Sequence, residues 1–263
     1  MTVLRSIVMA FSMFSTIRMP QIDWNERSMR FMLAAFPLVG VVIGLLCWAW
    51  MAIGSVFAFD RMIMGLGLLV IPLLITGGIH IDGFADTVDA LASHADQEKK
   101  RAILKDPHVG SFAVIGIGAY LIAYYAFACQ LDFSWGPGCT FSTMCVCLAP
   151  VLSRTMSGIV SIAFPGSGSA GLLQTFRESA SKRPALIVLA IVCAGLLVYA
   201  FICISWVLGL FLVGIIAVCS LYLFVMSRRQ FGGMSGDLSG FYLQVLELVF
   251  MVAFVLVERI VIG

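Results

Sequence analysis

The sequence predicts an all-α, polytopic integral membrane protein: one bundle of about seven transmembrane helices, with the N-terminus in the cytoplasm. Three observations carry this. Of the 263 residues, 61% are hydrophobic and only 11% are charged. Mean hydropathy is +1.06. The charged residues gather between long apolar runs. Soluble domains hold about 45–50% apolar and about 25% charged residues, so a soluble enzyme is excluded on composition. Disorder is excluded by the same apolar content. A net charge of +2 is too small and too dispersed for a nucleic-acid binder, so no nucleic acid is expected among the partners. Each crossing takes about 20 apolar residues, which leaves no room for a second soluble domain. Residues 1–263 therefore read as a single membrane-embedded unit.

The elements follow in chain order. Within the segment 1–30, Arg5 and Arg18 flank an apolar stretch at 7–17 that is too short to cross. It predicts a helix lying in the membrane interface. No small-x-small cleavage site follows it, which argues against a signal peptide. The spans are expected at 31–57, 62–76, 111–131 and 140–164, then two within 185–226, and a last one at 241–262. The second is short and is expected to continue into the next segment. The stretch 185–226 holds 42 residues without a charge, enough for two spans with a break near 205–209.

Cationic residues on one side test this count. Thirteen of the 16 Lys and Arg fall before span one or between spans two and three, four and five, or six and seven. Only Arg61 and Arg259 fall on the other side, and Arg154 lies within span four. The split places those segments in the cytoplasm. The eight Cys lie in or beside apolar runs, apart from Cys139 in a short loop, and show no metal-finger spacing.

Chemistry concentrates in the cytoplasmic segment 77–110, expected as an acidic catalytic loop. It carries Gly77-Gly78, His80, Asp82-Gly83, Asp86 and Asp89. On a helix, Asp82, Asp86 and Asp89 would share an arc of about 60°. Three carboxylates on one stripe repel one another unless they are solvated or share a cation. Hard divalent ions such as Mg²⁺ take such oxygen ligands and leave positions for a phosphate. The alternative is a wet helix face at the bilayer edge, which the apolar neighbours Ile79, Ile81 and Phe84 weaken. His80 is either a substrate contact or a structural hydrogen-bonder.

Lys105-Asp106-Pro107-His108-Val109-Gly110 combines a cation, an acid and turn residues. Lys105 can meet a phosphate, although a plain loop-to-helix junction explains the segment equally well. In Gly232-Gly233-Met234-Ser235-Gly236-Asp237, four glycines in all surround one acid as span seven begins, counting Gly240. Such a segment can present N–H groups to an anion or set Asp237 against a metal. Ordinary N-capping by Asp237 is the alternative. Arg154, costly within a span, is either a phosphate clamp or half of an ion pair, with Glu247 as a candidate partner.

These residues carry a resemblance. Gly77-Gly78-Ile-His80-Ile-Asp82-Gly83-Phe-Ala85-Asp86-Thr87-Val-Asp89 resembles the signature of the cobalamin synthase family, the adenosylcobinamide-GDP ribazoletransferases. Lys105–Phe112 resembles its second block and Gly232–Gly240 its C-terminal block, while Thr16–Pro20 and Pro37–Gly40 also fit. Ala90 stands where the family often has Gly, Ser235 where Thr is common and Phe241 where a small residue is common.

The resemblance implies a Mg²⁺-dependent enzyme of late cobalamin assembly in the bacterial cytoplasmic (inner) membrane, with its site facing the cytoplasm. α-Ribazole, or its 5′-phosphate, would attack the diphosphate of adenosylcobinamide-GDP and release GMP. Asp82, Asp86 and Asp89 are then the expected catalytic residues, with Asp89 as the base. The same three, with Asp106 and Asp237, are the expected Mg²⁺ ligands. Substrate contacts are expected from His80, Lys105, Arg154, Gly77, Gly78, Gly233 and Gly236. The lipid bilayer is a partner, and the sequence leaves open self-association or a complex with other enzymes of the pathway. Two other readings compete. One is a polytopic transporter, which the absence of an internal repeat argues against. The other is a CDP-alcohol-type phosphotransferase, whose full motif is missing.

Overall fold

The computed structural model describes residues 2–25, 29–133, 141–167 and 182–261. Among these, every regular element is helical. The order is α1 (Thr2–Phe14), α2 (Met32–Val56), α3 (Arg61–Thr76), α4 (Ile79–Ala92), α5 (Gln97–Ile103), α6 (Ser111–Ala128), α7 (Phe141–Ala163), α8 (Lys182–Tyr199), α9 (Trp206–Phe231) and α10 (Gly236–Val261). Six helices are long and apolar enough to cross a membrane: α2, α6, α7, α8 with its extension, α9 and α10. A seventh crossing results if α3 and α4, bent by 95° at a short break, form one broken span. The expected spans are thus present, with ends shifted by a few residues.

One expectation needs correction. The acidic segment is largely helix, not loop: α4 starts directly after Gly77 and Gly78, both with positive φ. Glycine takes that backbone without cost, so the pair makes the bend instead of ending regular structure. The break expected near 205–209 is present at Ser205, between α8 with its extension and α9. A π-turn at Ala200–Ile204 ends at Ser205, which is extended at φ −164° and ψ 135°. Arg27, Arg177 and Cys139, named in the charge and cysteine readings, lie outside the described residues.

α2, α7 and α10 form the buried centre. Gly40 and Gly44 of α2 are four residues apart and lie against the backbone of Pro150, Val151 and Cys147 of α7. Small residues at that spacing let two helices approach closely where lipid gives no hydrophobic drive. α7 and α10 are tied by a hydroxyl cluster, with Ser239 Oγ 2.7 Å from both Ser157 Oγ and Ser161 Oγ. α1 is too short to cross and buries Met9 and Ala10 beside α2, with Phe14 against Phe36. Thr16 then caps α3, its N–H and hydroxyl donating to the carbonyls of Ile75 (2.7 Å) and Leu74 (2.9 Å). The N-terminal segment therefore braces the bend that launches the acid-bearing helix.

The bundle has two chemically distinct ends. At one, Arg259 donates to Gln130, and Glu258 accepts from the Ser142 hydroxyl and the Asp132 N–H. The other gathers α4, the start of α6, the end of α7, α5 and the junction of α9 with α10.

Candidate active site

The acid stripe is held by close backbone packing. α4 lies on α10, and Gly83 meets Asp237 with no side chain between them: a Cβ at 83 would stand 2.8 Å from Asp237 Cα. Three residues back along α4, Gly240 is pressed against the His80 carbonyl in the same way. Phe84 stacks on Phe241 at 5.6 Å beside this contact. The charges of Asp82, Asp237 and Asp89 all bear on Asp86, so the structure brings these four acids into one electrostatic group. Asp82 is exposed, and the other three are half-buried.

Asp89 takes a defined place. Its carboxylate occupies the space a side chain at Gly110 would need, directly at the N-cap of α6. The positive end of a helix favours an anion there. Asp237 does not cap α10. Ser235 does, its Oγ accepting from Leu238 N–H (3.3 Å) while its hydroxyl donates to Asp237 Oδ2 (3.4 Å). The Asp237 carboxylate thus remains available, which sets aside the N-capping alternative.

The other expected residues are distributed differently. Asp106, expected as a metal ligand, is turned into its own loop. His108 donates its backbone N–H to Asp106 Oδ1 (2.9 Å) and sets its ring Nδ1 2.7 Å from the same oxygen. Those bonds, the backbone one first, hold the Asp106 carboxyl below the usual carboxylate range. Lys105 is exposed. The N–H groups of Gly77 and Gly78 both donate to the Leu73 carbonyl, and that of Gly233 to the Ser227 carbonyl. These three amides are engaged at helix ends. Gly236 alone of the four borders open space. The strand-like piece before it is clamped to the end of α7, with Met234 N–H donating to the Pro165 carbonyl at 2.8 Å.

Arg154 forms the ion-pair alternative. It is 1% exposed and pairs with Glu247 of α10, while Ser153 Oγ donates to the same carboxylate oxygen at 2.9 Å. His80 lies beside this pair, against the packed rings of Phe14 and Phe36. Both line a small cavity of about 10 Å³, room for one water, along with Gln244, Tyr120 and Tyr124. His80 Nε2 and Arg154 Nε have no hydrogen-bond partner among the described residues. Both residues line a cavity whose lining includes none of the four acids.

The residue that sequence reasoning missed is Arg101. Its guanidinium covers Gly232, its Nη2 donates to Gln97 Oε1, and its Nε is buried without a partner among the described residues. It had counted only toward sidedness, because nothing in the sequence places α5 on the glycine-rich segment.

The group's donor chemistry fits Mg²⁺: carboxylate oxygens only, with charge that a divalent ion would neutralise. As placed, no three His, Cys, Asp or Glu side chains among the described residues close into a metal cage. The fit is thus one of charge and donor type.

Comparison with known proteins is consistent with this arrangement. An adenosylcobinamide-GDP ribazoletransferase of Lachnoclostridium phytofermentans is 36% identical over 98% of this chain and 96% of its own length. One from Clostridium perfringens strain SM101 is 30% identical over 92% and 94%. One from Geobacillus sp. WCH70 is 30% identical over 86% of each chain. No solved structure matches significantly. The family model described as cobalamin-5-phosphate synthase matches residues 6–255, which span the acid helix, the α5–α6 turn and the glycine-rich junction, and the chain belongs to that family.

Proposed function

We propose that this protein joins adenosylcobinamide-GDP with α-ribazole, or α-ribazole 5′-phosphate, to give adenosylcobalamin or its 5′-phosphate and GMP. It works at the cytoplasmic face of the bacterial inner membrane. The observation that carries the reading is the gathering of Asp82, Asp86, Asp89 and Asp237 at one end of an apolar bundle, fixed by the Gly83–Asp237 contact. A transporter would instead place such groups at mid-depth.

In the reaction a ribazole hydroxyl attacks the cobinamide-bearing phosphorus. The P–O bond to GMP breaks, a phosphodiester forms, and the hydroxyl proton passes to a carboxylate. Asp89, whose carboxylate stands at the N-cap of α6, is the proton acceptor in this reading. Asp82, Asp86 and Asp237, with Asp89, would hold Mg²⁺, which when bound neutralises the diphosphate and the leaving GMP. Arg101, set over Gly232 in the segment that leads to Asp237, supplies a positive group to the same diphosphate. The Arg154–Glu247 pair and His80 fix α4, α7 and α10 relative to one another. The test is GMP release by the purified protein. Release should require both substrates and Mg²⁺, and release with either substrate alone would overturn the reading.

A further inference from the structure

A second basic cavity lies away from the acid group. It has a volume of about 550 Å³ between the end of α4, α5 and the last turns of α9. Leu91, Tyr222, Val225 and Met226 form its apolar wall, and Lys100 and Arg229 its charged one. Leu91 is half a turn round α4 from Asp82, Asp86 and Asp89, so the cavity and the acid stripe occupy opposite sides of that helix.

Lys100 is 5% exposed, yet among the described residues its side chain donates only to Gln230 Oε1, a neutral acceptor. No Asp or Glu pairs with Lys100 or Arg229 among the described residues. A buried cation without an anion is costly, and an ammonium holds three protons to donate. The site therefore calls for an anion. The shape of the wall says what that anion is attached to. Tyr222 is 52% and Val225 38% exposed, and they lie within the apolar length of a spanning helix whose charged end is Arg228-Arg229. The cavity's apolar wall thus lies on the apolar length of a spanning helix and its cations at that helix's charged end, the order in which a phospholipid presents acyl chain and headgroup.

We propose that this cavity binds one anionic phospholipid of the leaflet at that end, with its phosphate on Lys100 and Arg229 and its acyl stem along Tyr222, Val225 and Met226. The shared chemistry, a phosphate anion, could also come from a soluble nucleotide, and the test separates the two sources. The full-length protein is delipidated in non-ionic detergent and offered vesicles of phosphatidylcholine mixed with phosphatidylglycerol. Native mass spectrometry then reads the lipid retained per chain.

One phosphatidylglycerol should be retained in preference to phosphatidylcholine, and neither GDP nor inorganic phosphate should displace it. Lys100→Gln with Arg229→Gln should weaken retention by roughly tenfold or more, and Lys100→Arg should preserve it. Should Lys100→Gln not fold, Arg229→Gln, at an exposed position, must weaken retention alone. Equal retention of both lipids, unchanged retention in the Gln variants, or release by GDP would each overturn the proposal.

Discussion

Gly83 rests on the backbone of Asp237, leaving no space for even a methyl group between α4 and α10. Elsewhere in a helix, Gly→Ala gains about 0.5–1 kcal/mol from backbone entropy. Here the added carbon would stand 2.8 Å from Asp237 Cα and 2.9 Å from its carbonyl oxygen, so the helices must part. That displacement moves Asp82 and Asp86 relative to Asp237. Gly83→Ala should lower GMP release per molecule by roughly a hundredfold while the protein still accumulates in the membrane. A rate near that of the unaltered protein would show that the contact does not set the acid geometry.

The carboxylates themselves separate into two groups. Asp82→Asn and Asp86→Asn should each cut turnover by roughly a hundred- to thousandfold and leave unfolding temperature little changed, since neither group is fully buried. Asp106→Asn should keep a near-normal rate, because its carboxyl is spent on His108. Chelation should abolish turnover of the unaltered protein, and added Mg²⁺ should restore it. Near-normal product formation by both Asn variants at 82 and 86 would remove the metal–carboxylate reading.

Much of this was legible in the sequence, for reasons that mark its limits. The spans stand out because a charge-poor run near 20 residues has few alternatives in lipid. The acids were legible as a stripe because spacings of four and three residues place them on one helix face. Calling the segment a loop failed because Gly77, Gly78 and Gly83 read locally as turn signals. Two of them make a bend, and the third is a packing surface inside a helix. The Glu247 partner of Arg154 was foreseeable from the cost of an unpaired charge within a span. Neither Arg101 on Gly232 nor the Lys100–Arg229 cavity was foreseeable. Each depends on α5 docking against α9 more than 120 residues later in the chain, through Gln97 Nε2 donating to the Arg228 carbonyl at 3.2 Å.

Arg154 and Glu247 offer a test of structure against chemistry. Both are buried, and removing either alone leaves the other charge without compensation. Arg154→Met and Glu247→Met should each destabilise the protein by about 3–5 kcal/mol, whereas the double Met variant should recover much of that loss. Thermal unfolding in detergent measures the cycle. If the double variant folds, it should also retain turnover per folded molecule, since both side chains line a cavity to which none of the four acids contributes. Full loss of turnover in a stable double variant would return Arg154 to the substrate.

Sidedness joins the charge pattern to the availability of substrate. α5 carries Lys99, Lys100 and Arg101 and docks at the acid end, whereas Arg61 begins α3 at the opposite end of that helix from the bend. Both Glu98 and Arg61 are exposed. With the native cysteines replaced, Glu98→Cys should react with a membrane-impermeant maleimide only when the inner face of the cell membrane is opened. Arg61→Cys should react in intact cells. Because α5 and the acid-bearing α4 belong to the same end, one labelling experiment locates the carboxylates as well as the cations. The reverse pattern would put Asp82, Asp86, Asp89 and Asp237 outside the cell, where a guanosine diphosphate ester is not supplied, and the proposed reaction would lose its substrate.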